Sequence, residues 1–176
     1  ATTSISQVVA IVVKVKIDCS SMGNIIFLLH EQDEAIEMKL RKHLSTYEHF
    51  DFYSNLTPTP GEDILNIKSV LNIAHVVIII LSVDFMYDNF LAQLRKRAIL
   101  KNKQNEIELV QILARHMLLD NVIISGIKTI PESPLASYKD PDAAYIFVVQ
   151  IIIDKVDIAL LKKKIKDLES ILHTKD

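Results

Sequence analysis

The residues that could take part in acid–base chemistry lie at the end of an apolar run whose length is typical of a strand. The run Asn24 to His30 closes on a histidine, and Glu31 and Asp33 follow it directly. A histidine can exchange protons near neutral pH, and two neighbouring carboxylates could do acid–base work. The structural alternatives are that His30 is hydrogen-bonded at the rim of a sheet and that Glu31 and Asp33 belong to a solvated loop. We favour both of these interpretations over catalysis.

A second set of candidates follows the apolar run Val76 to Leu81. Ser82 could contact a ligand, although capping of the helix predicted to begin near Asp84 is favoured. Phe85 and Tyr53 could stack on a nucleobase, but aromatic side chains at strand ends usually belong to the core. The residues alone therefore indicate a candidate edge rather than a defined active site.

Composition narrows the classes of ligand and partner. Cys19 is the only cysteine, and neither an HxxxH nor a CxxC spacing occurs, so no metal site is predicted. The 20 Lys and Arg against 22 Asp and Glu give a net charge of −2, which predicts neither a nucleic-acid surface nor a polybasic membrane patch. The uncharged apolar run Val76 to Val83, broken only by Ser82, is too short to span a bilayer. A lone thiol favours a reducing compartment, so we expect a cytoplasmic location.

Alternating apolar runs and amphipathic stretches must position these candidates. Strands are predicted at 24–30, 50–53, 76–81 and 108–114, with an edge strand or irregular connection at 123–130. Helices are predicted at 34–44, 62–73 and 84–97, and a last one begins at a cap formed by Asp140. This order predicts a flavodoxin-like α/β fold with a doubly wound, mostly parallel five-stranded sheet flanked by helices. Ligands bind at the carboxyl ends of such strands, which is where the candidates stand.

The end of the chain carries a separate pattern. Apolar residues follow a 3-4-3-4 spacing with lysines on their flanks, a heptad-like stripe formed by Ile158, Leu161, Ile165, Leu168 and Leu172. Such a helix could dock on the domain's own surface or bind a partner helix, and the spacing leaves both open. We therefore predict an N-terminal extension over 1–23, a domain over 24–155 and a C-terminal helical extension over 156–176.

Several segments, in this order, resemble bacterial TIR (Toll/interleukin-1 receptor) domains. IIFLLHEQDE (25–34) is similar to the family's first strand and its exit, and PGEDI (60–64) to the signature that closes its BB loop. AHVVIIILSVDF (74–85) is similar to the strand that ends in serine and an aspartate-phenylalanine pair. PESPLASYKDPDAA (131–144) resembles the proline-containing strand exit and the capped last helix. The resemblance covers residues 24–155.

The resemblance implies two kinds of work in defence and signalling. Some TIR domains associate with themselves or with other TIR domains, using the BB loop as a contact surface. Others cleave NAD between nicotinamide and ribose with a glutamate on the third helix, where a carboxylate suits the oxocarbenium-like transition state. The residues that the resemblance would place near a bound NAD are His30, Glu31, Pro60, Gly61, Ser82 and Phe85.

The stretch equivalent to that third helix, Phe90 to Arg97, contains no glutamate. Gln93 is the nearest isostere, and it keeps the shape of a glutamate without its charge, whereas Arg95 would oppose the charge of the transition state. The glutamine is either natural or a Glu-to-Gln exchange. Leu29 also departs from the family, which has a small polar residue there. The first expectation is thus a self-associating module with a degenerate NAD site and no required cofactor.

Two alternatives remain open at this stage. The first is an NAD glycohydrolase whose catalytic glutamate is displaced or replaced near Gln93. The second is a phospho-receiver-like domain, in which Glu31, Asp33 and Asp84 would form the acidic pocket and Lys128 would supply its lysine. The second alternative leaves the proline-glycine-glutamate loop unexplained, and we favour it least.

Overall fold

The computed structural model describes residues 23–47, 50–56, 67–117 and 127–173. The strands are β1 (Gly23–Leu28), β2 (Phe50–Ser54), β3 (Val76–Leu81) and β4 (Glu108–Leu113). The helices are α1 (Glu34–Leu44), α2 (Ile67–Val70), α3 (Val83–Tyr87), α4 (Asn89–Lys103) and α5 (Pro141–His173). Short 3-10 turns lie at Glu31–Asp33 and Leu135–Ser137.

The four strands form one parallel sheet in the order β2-β1-β3-β4. Every residue of β3 is buried, because α1 and α5 cover one face of the sheet and α2, α3 and α4 cover the other. Strands covered on both faces are continuously apolar, as the run Val76 to Leu81 is. The predicted doubly wound, parallel arrangement with helices on both faces is confirmed.

The prediction of a fifth strand is wrong for the residues that the structure describes. At the outer edge of β4, Thr129 forms a single parallel bridge with Gln111, and the Ile130 N–H donates to the Gln111 carbonyl at 2.7 Å. Pro131 and Pro134 follow, and neither has an N–H with which a ladder could continue. Residues 118–126, which include the start of the predicted edge strand, lie outside the described ranges.

The predicted helix over 84–97 is two helices. Asp88 adopts an extended backbone (φ −75°, ψ 114°), and its carboxylate accepts from the N–H groups of Phe90 and Leu91 at 2.8 and 3.0 Å. An aspartate in this geometry is a helix N-cap, so a new helix must begin after it. The break sets the rotational phase of α4 and therefore decides which of its side chains face the sheet.

Helix α5 begins at the predicted cap, where Asp140 Oδ1 accepts from the N–H groups of Asp142 and Ala143 at 3.1 and 3.2 Å. Its first half packs on the sheet and on α1. It then runs without a break through the predicted boundary at residue 155, so the domain division stays a prediction. None of the helices in the described ranges combines the length and apolarity that crossing a membrane requires.

The contact between β1 and α5 depends on the absence of a side chain at Gly23. A Cβ at this position would lie 2.6 Å from Val156 Cγ1 and 3.3 Å from Phe50 Cδ1. Gly23→Ala should lower the free energy of unfolding by about 1–2 kcal/mol, because the valine can shift only in part. Equilibrium urea unfolding measures the loss. Adding Val156→Ala, which removes the clashing methyl group, should make the effect of Gly23→Ala smaller; an alanine tolerated without loss would refute the close approach.

Candidate functional site

The exits of β1, β3 and β4 meet at the carboxyl edge of the sheet, and an ion pair connects two of them. Arg115, just after β4, places Nη2 2.8 Å from Asp33 Oδ1 and 3.3 Å from the Gln32 carbonyl. The Asp33 side chain is only 1% exposed. The hydrogen bond and charge of Asp33 raise the pKa of Arg115, and the charge of Asp84 after β3 adds to the rise. The guanidinium of Arg115 thus interacts electrostatically with carboxylates from two strand exits.

A cavity of about 580 Å³ opens beside this ion pair, on the side of the sheet covered by α1 and α5. Besides Asp33 and Arg115, its charged lining includes Lys39, which lies 2.7 Å from Asp142 Oδ1 and 4.5 Å from the centre of the Tyr145 ring. The polar groups of this cavity are therefore largely engaged with one another.

Ser82 acts as the cap of α3. It is 1% exposed and has an extended backbone, and its Oγ accepts from the Phe85 N–H at 3.2 Å. Phe85 is fully buried between the sheet and the helices of that face. The structural interpretations of both residues, a cap and a core aromatic, are confirmed.

His30 also acts locally. Its Nδ1 accepts from the Gln32 N–H at 3.3 Å and caps the 3-10 turn, while Glu31 is exposed. Pro60 and Gly61 lie outside the described residues, as does the whole PGEDI segment (60–64).

The structure does not bring Gln93 together with these residues. Gln93 is exposed on α4, whereas its neighbours Leu94 and Arg95 are buried. Arg95 Nε donates to Gln111 Oε1 at 3.0 Å, and Gln111 Nε2 donates to the Ile127 carbonyl at 3.0 Å. Burial lowers the pKa of Arg95. The inner face of α4 therefore presents a cation to the sheet.

The geometry offers little for a receiver-type pocket. Asp33 is buried and bonded to Arg115, Asp84 stands in the first turn of α3, and Lys128 is exposed. Within the described ranges, no three His, Cys, Asp or Glu side chains are grouped so that they could hold a metal ion.

Sequence reasoning singled out neither Arg115 nor Gln111. Arg115 follows the fourth apolar run directly, and this position at a strand exit was the available signal. Gln111 interrupts the apolar run from Leu109 to Leu113 in β4, and a polar residue inside a buried strand indicates a required hydrogen-bond partner.

The fold and the edge just described define a parallel α/β domain with capped helices around its carboxyl edge. No protein-family model matches the chain, and a search of curated proteins finds no match either.

Proposed function

We propose that this chain is a TIR-type interaction module, which associates with its own kind or with other TIR domains through the carboxyl edge of its sheet. The order of parallel strands and the capped helix after β3 fit the segments that resemble the family. In this proposal the module serves defence or signalling by assembling, and its crevice is a degenerate NAD site.

One surface feature carries the proposal. Val83 and Tyr87 lie one turn apart on α3, directly after the exit of β3, and their exposed fractions are 60% and 90%. Residues four apart share a face of a helix. Tyrosine is enriched among the residues that dominate protein–protein contacts, because its ring buries much area at low entropic cost. These two exposed side chains at the carboxyl edge of the sheet are therefore suited to contact with another protein.

The charge on α4 favours assembly over NAD cleavage. The helix contains no Asp or Glu, and its inner face carries Arg95. Loss of nicotinamide builds positive charge on the ribose, which a carboxylate stabilises and a guanidinium opposes. Since Gln93 is exposed, restoring a carboxylate there would not place it against the sheet.

The direct test of the contact surface is sedimentation velocity over a concentration series. Tyr87→Asp should raise the dissociation constant of carboxyl-edge assembly at least tenfold, which corresponds to about 1.4 kcal/mol. Met38→Asp is the matched control, because Met38 is 65% exposed but lies on α1, on the opposite layer. If the dissociation constant of carboxyl-edge assembly is the same for Tyr87→Asp as for the unaltered chain, the proposal is removed.

The enzyme alternative is tested by the release of nicotinamide from NAD. We expect no release from the chain as it stands and none from Gln93→Glu. Turnover that appears with Gln93→Glu, and disappears with Gln93→Ala, would establish the glycohydrolase instead.

A further inference from the structure

The side of α5 that points away from the sheet carries a long apolar row. Its positions are spaced by alternating steps of four and three, and we call this row the α5 stripe: Phe147, Ile151, Asp154, Ile158, Leu161, Ile165, Leu168 and Leu172. The apolar members other than half-buried Ile151 have exposed fractions between 37% and 68%. The residues that α5 packs on the sheet lie on its other side, among them Val148, Ile152 and Val156. The apolar residues of the stripe thus lie outside both core clusters of the described residues, and Asp154 accepts from Gln150 Nε2 at 3.1 Å within α5.

Isoleucine and leucine alternate along the stripe from Ile158 to Leu168, whereas the next position, Leu172, is again a leucine. If the three isoleucines Ile151, Ile158 and Ile165 occupy the a positions of a heptad, then Leu161 and Leu168 occupy the d positions. A β-branched residue at a with leucine at d favours two parallel strands, because each shape packs well in the hole that this geometry offers. A helix docked on its own domain would not require this alternation.

The charges that flank the stripe fit a second copy in the same direction. In a parallel pair, the residue at g approaches the e residue five positions later on the partner. Asp157 at g then meets a lysine, Lys162, and Lys164 at g meets Glu169. Both contacts join opposite charges. Within one copy, Lys155 and Lys162 also contact Glu108, so Lys162 would share its charge between this carboxylate and Asp157 of the second copy.

We propose that the α5 stripe binds the α5 stripe of a second copy of this chain as a parallel, in-register, two-stranded coiled coil. Residues 147–172 would supply about 40 Å of contact at 1.5 Å per residue. Two domains held in this way have their carboxyl edges on the same side, so both edges remain available for further contacts. The stripe shares no residue with the Val83–Tyr87 surface, and the two inferences stand or fall separately.

The full chain with Leu161→Asp and Ile165→Asp tests the proposal by sedimentation equilibrium. The unaltered chain should have twice the monomer mass at micromolar concentration, and the double variant should raise the dissociation constant at least 100-fold. Ser170→Asp is the control, because Ser170 is exposed on α5 at the f position, farthest from the partner. Unfolding curves establish that the double variant is still folded. A monomeric unaltered chain, or a folded double variant that dimerises as well as the control, overturns the proposal.

Two further variants test the geometry of the pair. Asp154→Leu fills the one polar d position and should lower the dissociation constant at least tenfold. Leu172→Cys, in a chain with Cys19→Ser, should form an intermolecular disulfide under mild oxidation, because equivalent a positions meet in a parallel pair. A dimer that forms without this cross-link contradicts the parallel direction, and a dimer that Tyr87→Asp abolishes would assign the contact to the carboxyl edge instead.

Discussion

Gln111→Leu should lower the free energy of unfolding by about 2–4 kcal/mol. Gln111 is fully buried in β4, where it accepts from Arg95 Nε and donates to the Ile127 carbonyl, each at 3.0 Å. Leucine fills a similar volume but can do neither. A buried guanidinium then loses an acceptor and a carbonyl loses a donor, and groups taken out of water cost free energy when their partners disappear. Equilibrium urea unfolding at neutral pH measures the loss.

A variant of Arg95 separates the loss of the Arg95–Gln111 hydrogen bond from general damage to the core. Arg95→Met removes the guanidinium, so combining it with Gln111→Leu should cost less than the sum of the two separate losses. Gln93→Leu is the control on the same helix, and because Gln93 is exposed its effect should stay within about 0.5 kcal/mol. Additive losses in the double variant would show that Arg95 and Gln111 do not depend on each other.

The second large effect is expected at Arg115. Arg115→Met leaves the 1%-exposed carboxylate of Asp33 without its hydrogen bond from Nη2. Removing one partner of a buried pair costs about 3–5 kcal/mol. Because the Arg115 side chain is half exposed and water already reaches it, we expect a smaller loss, about 2–3 kcal/mol. Thermal and urea unfolding of the variant measure this difference.

Removing the charge of Asp33 provides the control for the prediction on Arg115→Met. Asp33→Asn in the Arg115→Met chain replaces the unpaired carboxylate with a neutral group of the same shape, so most of the lost stability should return. Lys128→Met is a matched exposed substitution that should change the free energy of unfolding by less than about 0.5 kcal/mol. If Arg115→Met unfolds like the unaltered chain, the ion pair does not hold the strand exits together.

The order of strands and helices could be predicted because periodicity reports it directly. Five consecutive β-branched residues before Leu81 gave β3 with its observed bounds, and Asp140 gave the start of α5. The break at Asp88 could not be inferred from hydrophobic spacing, since apolar residues continue on both sides of it. Among the described residues, Pro131 and Pro134 explain why the bridge at Thr129 does not continue into a longer ladder, and their effect depends on which neighbour would need their N–H groups.

The site was only partly predictable. The capping role of Ser82 is local, so a serine before a helix start was sufficient to predict it. The Asp33–Arg115 pair joins residues far apart in the chain, and no local pattern encodes such a contact. The positions of Gln93 and Arg95 depend on the phase of α4, which the Asp88 cap sets. The sequence could place both residues on one helix but not decide which of them faces the sheet.

We propose that the carboxyl edge of the sheet is a surface for assembly. The most direct measurement is sedimentation velocity over a concentration series on the chain with Leu161→Asp and Ile165→Asp, in which the α5 stripe no longer contributes. We predict that its weight-average sedimentation coefficient still rises with concentration, and that adding Tyr87→Asp abolishes the rise. A single monomer boundary at every concentration, for the chain alone and for the chain mixed with a TIR domain, would contradict the proposed role of this edge.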